Sequence, residues 1–218
     1  MRLKDQFTSI DLERLFLAPV ISLMLVFSTL GLFRGSHTTG GLVGTLTLCY
    51  RILLVLFYVM AVAMLLARGA AKAKSKGILP RIAAYAGTFA PLLLPFVSSS
   101  PVWAPLAAVG VVLQVLGLGF ALYSLGTLRR SFGVAPQVRT LVRTGPYRVI
   151  RHPLYVGEFV SLLGAVLVGP SWEKALILVA CAAIQVYRVL QEESLFETHD
   201  PEYAAYMRTT KRFVPGLF

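Results

Sequence analysis

Long apolar runs constrain this chain more than any other feature of its sequence. Of its 218 residues, 56% are hydrophobic and 14% are charged, whereas soluble domains carry about 25% charged residues. Several runs approach or exceed the roughly 20 apolar residues that a helix needs to cross a bilayer. The sequence therefore predicts an all-α integral membrane protein, a polytopic transmembrane helical bundle with spans near 15–33, 42–67, 82–97, 102–128, 154–168 and 175–190.

The length suits one membrane domain over residues 1–218, without internal repeats. The turn-forming SSSP at 98–101 predicts an antiparallel hairpin of the third and fourth spans. The last two spans have about 15 residues each, or about 22 Å of helix, which is less than the roughly 30 Å hydrocarbon core. They are expected to form a short hairpin that tilts or borders a polar cavity. The polar tail 191–218 is expected to cap the cytoplasmic face.

Basic residues are concentrated in alternate connections. The segments 68–81 and 129–151 hold many Lys and Arg and no acid, whereas 34–41, 98–101 and 169–174 are nearly bare of them. This alternation predicts that both termini are cytoplasmic, in the inner membrane if the source is bacterial. The net charge of +11 thus orients the protein and contacts anionic lipid, which argues against nucleic-acid binding. Residues 1–14 are polar and do not resemble a cleavable signal peptide.

Several polar or small residues inside the apolar runs need an explanation. Cys49 and Cys181 stand alone, and His37, His152 and His199 are widely spaced, so the sequence predicts neither a disulfide nor a metal site. Arg51 lies about 14 Å into the second span, where pairing with a buried partner is favoured over a substrate role. Gly110, Gly117 and Gly119 in the fourth span favour close helix packing over contact with a ligand.

The densest cationic cluster is RTGPYRVIRHPLYVGEF, residues 143–159. Proline favours the first position of a helix, so His152 is predicted to be the N-cap of the fifth span and Pro153 its first residue. A helix N-terminus beside Arg148 and Arg151 attracts a carboxylate or phosphate. The flanking residues Tyr147 and Tyr155 offer aromatic surface for a base or a sulfonium. The alternative is that these residues bind lipid phosphates and form an interfacial aromatic belt.

A second cluster, YRVLQEESLF, lies near the end of the sixth span. Arg188 and Glu192 are four residues apart and share a helix face, and Glu193 adds a second acid. The predicted topology puts this cluster on the same side as His152. A carboxylate-binding helix end and an ammonium-binding acid pair together suit an amino-acid-like ligand, although a solvated helix end would also explain the acids.

The segments RTLVRTGPYRVIRHPLYVG (139–157) and RVLQEESLFETHDPEYAAY (188–206) resemble the membrane-embedded isoprenylcysteine carboxyl methyltransferases and the related phosphatidylethanolamine N-methyltransferases. The resemblance covers roughly the C-terminal half, so 101–218 is expected to be the catalytic core and 1–100 a scaffold of spans. It implies S-adenosylmethionine-dependent methyl transfer, without a metal, to a lipophilic acceptor that enters from the bilayer. The sequence leaves the oligomeric state open.

The resemblance also implies roles for individual residues. Arg188 corresponds to a residue at the acceptor site, and Glu192 to one that contacts the cofactor, with the register to Glu193 uncertain by one residue. The glycines Gly117 and Gly119 resemble a cofactor-binding GxG of the phospholipid branch. The implied catalytic residues are Arg188 and Glu192, and the implied cofactor-binding residues are Arg139, Thr140, Leu141, Val142, Tyr147, His152, Pro153, Leu154, Tyr155, Glu192 and Glu193.

The methyl acceptor stays open between a carboxylate, a lipid amine and a small thiol. A carboxylate would need no deprotonation and could be held by Arg188, whereas an amine would require a base. Glu158 in the fifth span is a candidate base, although pairing with Arg51 or another cation is the favoured explanation for an acid at that depth.

Two functions other than methyl transfer are also compatible with the sequence. The RHPLYVGE element at 151–158 also resembles NADPH-dependent sterol reductases, although Leu154 stands where those proteins tend to have Asn. The second is a non-catalytic membrane protein whose basic loops bind anionic lipid.

Overall fold

The computed structural model describes residues 12–34, 41–69, 71–75 and 77–216. The prediction for the N-terminal polar segment falls mostly outside these residues. The chain is all-α, as predicted, with one minimal strand pair. The helices are α1 (Leu12–Arg34), α2 (Gly41–Ala67), α3 (Leu79–Phe89), α4 (Ala104–Leu128), α5 (Pro153–Val168), α6 (Trp172–His199) and α7 (Tyr203–Thr209), and the strands are β1 (Ala73–Lys74) and β2 (Gln137–Val138). Within the described residues, four helices, α1, α2, α4 and α6, are long and apolar enough to cross a bilayer, and α5 is a shorter apolar helix.

The third predicted span is not one continuous helix. α3 ends at Phe89, and residues Ala90–Phe96 continue as a 3-10 helix that contains Pro91 and Pro95. Proline lacks the N–H that an α-helix requires, so the two prolines explain the change. Both segments pack against α6 rather than α4, and the predicted hairpin of the third and fourth spans is therefore wrong.

The connection after this segment explains why that hairpin does not form. Instead of turning tightly, the 98–101 segment binds the loop between α5 and α6. The Ser100 main-chain N–H donates to the carbonyl of Pro170 at 3.0 Å, and the buried Lys174 side chain donates to Ser99 Oγ. The connection is therefore held against the last two helices.

The last long helix extends beyond its predicted end. α6 has 28 residues, or about 42 Å at helical rise, so the prediction of a short final span ending near 190 is wrong. The helix continues beyond residue 190 because its acidic side chains there form hydrogen bonds and ion pairs with other parts of the protein. The hairpin of α5 and α6 thus pairs one short helix with one that extends past the roughly 30 Å hydrocarbon core.

Glycines bring α4 and α5 into backbone contact. A Cβ atom added to Gly117 would lie 2.7 Å from the carbonyl oxygen of Gly157, and one added to Gly110 would lie 2.8 Å from that of Gly164. Real side chains do not approach so closely, so only glycine allows this packing. The packing prediction is confirmed for Gly110 and Gly117. No atom outside its own helix and chain neighbours lies within 4 Å of the position that a Cβ on Gly119 would occupy.

The two basic connections meet at one end of the bundle, which we call the loop face (residues 68–75 and 129–152). β1 and β2 pair antiparallel, with Ala73 opposite Val138. The Arg130 side chain donates to the carbonyl of Ala67 at 3.0 Å, and Arg139 donates to that of Gly69. The alternation of charge thus correctly predicted that these connections share a side.

Arg51 has a partner inside the protein, as predicted, but not the acid that was favoured. Its guanidinium donates to the carbonyl of Gly31 on α1 at 3.1 Å. Glu158 instead accepts a hydrogen bond from the side-chain amide of Gln185 at 3.3 Å. Of the predicted partners of Glu158, Arg51 or another cation, Arg51 is wrong, because Arg51 turns toward α1 while Glu158 turns toward α6. The cation that acts on Glu158 is Arg188.

Candidate active site

The two clusters found in the sequence meet at the loop face. Helix α5 begins at Pro153 with His152 as its N-cap, as predicted, and the C-terminal part of α6 lies beside it. The His152 ring lies 3.0 Å from the Glu193 carboxylate, and the Tyr155 hydroxyl donates to Glu192 at 2.5 Å. The cationic and acidic segments, about 40 residues apart in sequence, thus form one site.

Glu193 is the centre of a buried ion cluster, which we call the Glu193 cluster (Arg151, His152, Glu193 and Arg212). Its carboxylate accepts from Arg151 at 2.8 Å and from Arg212 at 2.5 Å, and its side chain is 4% exposed. The main-chain N–H groups of Arg151 and His152 donate to the carbonyls of Lys211 and Arg212. The cluster therefore fixes the C-terminal segment against the start of α5.

Hydrogen bonding to Glu193 also raises the pKa of Arg212 above its usual value. Arg212 therefore stays cationic at every physiological pH, and the cluster keeps at least two positive charges around one carboxylate. Both carboxylate oxygens of Glu193 are therefore engaged by side chains of the protein. Glu193 does not line the neighbouring cavity.

Tyr155 connects the other acid to the predicted acceptor arginine. Its hydroxyl donates to Glu192, and its ring lies 4.9 Å from the Arg188 guanidinium carbon. Arg188 also donates to the carbonyl of Val134 at 2.8 Å and is 5% exposed. The cation–π contact and these hydrogen bonds fix three of the predicted site residues, Tyr155, Arg188 and Glu192, relative to one another.

A cavity of about 110 Å³ opens beside these residues, and we call it the loop-face cavity. It is enclosed by residues 131–142, the turn at 145–148, the start of α5, the end of α6 and α7. Gly145 has a positive φ of 57°, which favours glycine, and this turn directs Tyr147 into the wall. The predicted residues that line the cavity are Thr140, Leu141, Val142, Tyr147, His152, Leu154, Tyr155 and Glu192.

The other predicted site residues lie just outside this lining. Arg139 is buried and donates to Gln137 Oε1 at 2.7 Å, so it stabilises the loop that carries Thr140. Pro153 begins α5, and Glu193 lies in its ion cluster. Arg188 lines a different cavity. Neither Gly117 nor Gly119 reaches the loop-face lining.

Sequence reasoning missed part of the wall. Tyr203 and Tyr206 come from α7, and Phe196 stacks on Tyr203 with ring centroids 5.1 Å apart. The Tyr206 hydroxyl donates to the carbonyl of Tyr147 at 2.5 Å. The aromatic residues in FETHDPEYAAY were the available signal. Other lining residues without a distinctive signal are Phe132, Gly133, Ala135 and Gln137.

The hydroxyls of Tyr147 and Tyr206 are neutral near pH 7. Burial raises the pKa of Tyr206 to about 12, and burial, followed by the charge of Glu192, raises the pKa of Tyr147 well above its usual range. Their hydroxyls therefore stay protonated near neutral pH, and neither tyrosine is a base there.

A second, larger cavity of about 290 Å³ lies within the apolar helices, and we call it the bilayer cavity. It is lined mainly by hydrophobic residues of the membrane helices and the 3-10 segment. Its polar lining residues include Thr88 on α3, Glu158 and Ser161 on α5, and Gln185 and Arg188 on α6. Both cavities are lined by Phe132, Gly133, Leu154 and Tyr155. A polar site at the loop face and an apolar site among the helices thus share one wall.

The fold and the paired cavities define a helical membrane protein with two adjoining cavities, one at the loop face and one among the apolar helices. Residues 106–199, which run from α4 through α6, match the phospholipid methyltransferase family. The family resemblance predicted from the two sequence segments is confirmed over this part of the chain. Within the described residues, no three His, Cys, Asp or Glu side chains are grouped as metal ligands.

Two curated proteins are similar to this chain. It is 31% identical over 128 residues to the nickel-cobalt-cadmium resistance protein NccN of Alcaligenes xylosoxydans xylosoxydans, covering 58% of this chain and 60% of that protein. It is 34% identical over 120 residues to the cobalt-zinc-cadmium resistance protein CzcN of Cupriavidus metallidurans, covering 54% and 51%. The chain thus spans between half and two thirds of the length of these relatives.

Proposed function

We propose that this protein is an integral membrane methyltransferase that uses S-adenosylmethionine to methylate a lipophilic acceptor. One observation carries the proposal: the loop-face cavity, the more polar of the two, and the apolar bilayer cavity share the wall formed by Phe132, Gly133, Leu154 and Tyr155. A water-soluble methyl donor and a membrane-dissolved acceptor need such adjoining sites. The family match of residues 106–199 supports the same reaction class.

The residues of the loop-face cavity fit this cofactor. The Glu192 carboxylate suits an ammonium group, and the rings of Tyr147, Phe196 and Tyr203 offer faces for a base or a sulfonium. When bound, S-adenosylmethionine supplies a methyl group on a sulfonium that leaves as a neutral thioether, so the transfer needs no metal.

The protein's own contribution is alignment and exclusion of water. Tyr155 holds Glu192 on the donor side, and Arg188 lines the acceptor side. Holding two reactants in line contributes about 7–11 kcal/mol in favourable cases. The wall residues therefore act mainly by position, and Arg188 orients the polar head of the acceptor.

We extend the proposal to the organisation and topology of the chain. Among the described residues, those that line the loop-face cavity lie between Leu128 and Tyr206, which supports 101–218 as the catalytic core. Residues of α1 and α2, including Ile21 and Tyr58, line the bilayer cavity, so the first 100 residues also shape the acceptor site. The basic loop face lies in the cytoplasm under the positive-inside rule.

Cofactor binding is tested by calorimetric titration of the detergent-purified protein with S-adenosylhomocysteine and, separately, with NADPH. We expect binding of the first only, weakened at least tenfold (about 1.4 kcal/mol) by Glu192→Gln, because the substitution removes the charge that faces the ligand. Glu197→Gln, at an exposed acid of the same helix, is the matched control and should bind normally. Preference for NADPH would instead support a reductase, and binding of neither would support a lipid-binding protein.

Substitutions of Arg188 test whether this residue acts in methyl transfer rather than in binding of the cofactor. Arg188→Ala is expected to leave affinity for S-adenosylhomocysteine nearly unchanged and to abolish methyl transfer, because Arg188 lines the acceptor cavity and not the loop-face cavity. Arg188→Lys keeps the charge but loses the planar guanidinium that stacks on Tyr155, so partial activity is expected. Equal loss of binding and turnover in Arg188→Ala would contradict this role.

A further inference from the structure

The bilayer cavity contains an acid that the proposed methyl transfer has not yet used. Glu158 lies on α5, one helical turn beyond Leu154, and lines the cavity together with Gln185 on α6. The Gln185 amide donates to the Glu158 carboxylate at 3.3 Å. An acid placed among apolar helices is costly, and such residues usually serve function.

The charged groups that act on Glu158 lie on α6, whereas α4, which packs most closely on α5, contributes none among the described residues. Arg188 and Glu192 on α6 both act on Glu158 electrostatically, with Arg188 the attractive member. The tyrosines that feel its charge are Tyr155 on α5, Tyr58 on α2 and Tyr147 in the loop-face turn. The bilayer cavity therefore presents a carboxyl group and a guanidinium group, those of Glu158 and Arg188.

We propose that Glu158 is a further catalytic residue, which accepts the proton of the acceptor's nucleophile, and that the acceptor is a lipophilic N–H or S–H compound. This inference rests on the proposed methyltransferase function and narrows its acceptor. A carboxylate acceptor is already deprotonated near neutral pH, so its methylation would leave Glu158 without a catalytic part. An amine or thiol must lose a proton, and Glu158 is placed to receive it.

The step balances with the groups named. The new bond joins the methyl carbon to the acceptor nitrogen or sulfur, and the carbon–sulfur bond of the methyl donor breaks with its electron pair left on sulfur. The proton released by the acceptor goes to the Glu158 carboxylate, which becomes a neutral acid. Bulk water then takes up this proton after the product leaves.

The first test is methyl transfer to three probes in lipid nanodiscs: decylamine, decanethiol and N-acetyl-S-farnesylcysteine, whose nucleophile is a carboxylate. We expect transfer to the amine or the thiol and not to the carboxylate. Glu158→Gln keeps the shape and the contact with Gln185, and it should reduce that rate by about 100-fold, the scale of general-base catalysis. Its remaining rate should rise with pH, since only acceptor molecules that are already deprotonated react.

A binding measurement tests the role of Glu158 even if no methyl transfer is detected. With S-adenosylhomocysteine present, decylamine should raise the melting temperature of the unmodified protein and of Glu197→Gln, but not that of Glu158→Gln. Equal stabilisation of Glu158→Gln by decylamine, or carboxylate methylation that Glu158→Gln leaves unchanged, would overturn the role of Glu158. Failure of the unmodified protein to bind S-adenosylhomocysteine would refute the methyltransferase proposal, while the decylamine measurement would still decide whether Glu158 recognises a cationic head.

Discussion

Replacing Gly117 by alanine is expected to destabilise the protein by at least about 1–3 kcal/mol, the usual cost of overpacking. The added Cβ would lie 2.7 Å from the carbonyl oxygen of Gly157 and 2.9 Å from the Cα of Ser161. Both are backbone atoms of α5, so a side-chain rotation cannot relieve the clash. α4 and α5 would have to separate, and this pair carries the shared wall at its loop-face end.

The same substitution at Gly119 provides the control. It lies two residues away on the same helix, with no neighbouring atom within 4 Å of the added Cβ, and alanine is a better helix former than glycine. Thermal unfolding in detergent should therefore show a lower melting temperature for Gly117→Ala and an unchanged or slightly higher one for Gly119→Ala. Equal melting temperatures would mean that the α4–α5 contact is looser than described.

Glu193→Gln is expected to have the largest effect on stability among the charged residues. The substitution leaves Arg151 and Arg212 without a counter-charge, and the side chains of Arg151 and His152 are only 10% exposed. Removing one partner of a buried ion pair typically costs about 3–5 kcal/mol. The C-terminal segment should detach from α5, which limited proteolysis would detect as faster cleavage near residues 211–213.

A surface ion pair of the same region serves as the comparison. Arg143 and Glu202 lie 2.6 Å apart, but their side chains are 38% and 75% exposed, and exposed pairs contribute about 0–1 kcal/mol. Glu202→Gln should therefore leave the melting temperature and the proteolysis pattern nearly unchanged. If it destabilised the protein as much as Glu193→Gln does, the loss could not be attributed to burial of the Glu193 cluster.

The sequence predicted the features that depend on hydrophobicity and local propensity. Apolar runs located the long helices, Pro153 marked the start of α5, and the charge alternation indicated which loops share an end. It also predicted that His152 lies beside the acids of α6, because the two helices are consecutive and antiparallel. Each of these inferences depends only on residues that are close in sequence or on the order of the helices along the chain.

The features that depend on tertiary partners were not predictable in this way. Glu192 and Glu193 resemble the end of a span by polarity, but Tyr155, Arg151 and Arg212 satisfy them and the helix continues. The strands β1 and β2 have two residues each and carry no periodicity. The different environments of the two adjacent acids follow from helix rotation, which turns Glu192 toward the cavity and Glu193 toward the tail.

Tyr203 and Tyr206 of α7 form one wall of the loop-face cavity, and Arg212 holds the segment after α7 against Glu193. This wall is attached to the bundle by side-chain contacts and not by a helix long and apolar enough to cross a bilayer. A local loss of those contacts would therefore open the cavity on this side while the long helices keep their packing.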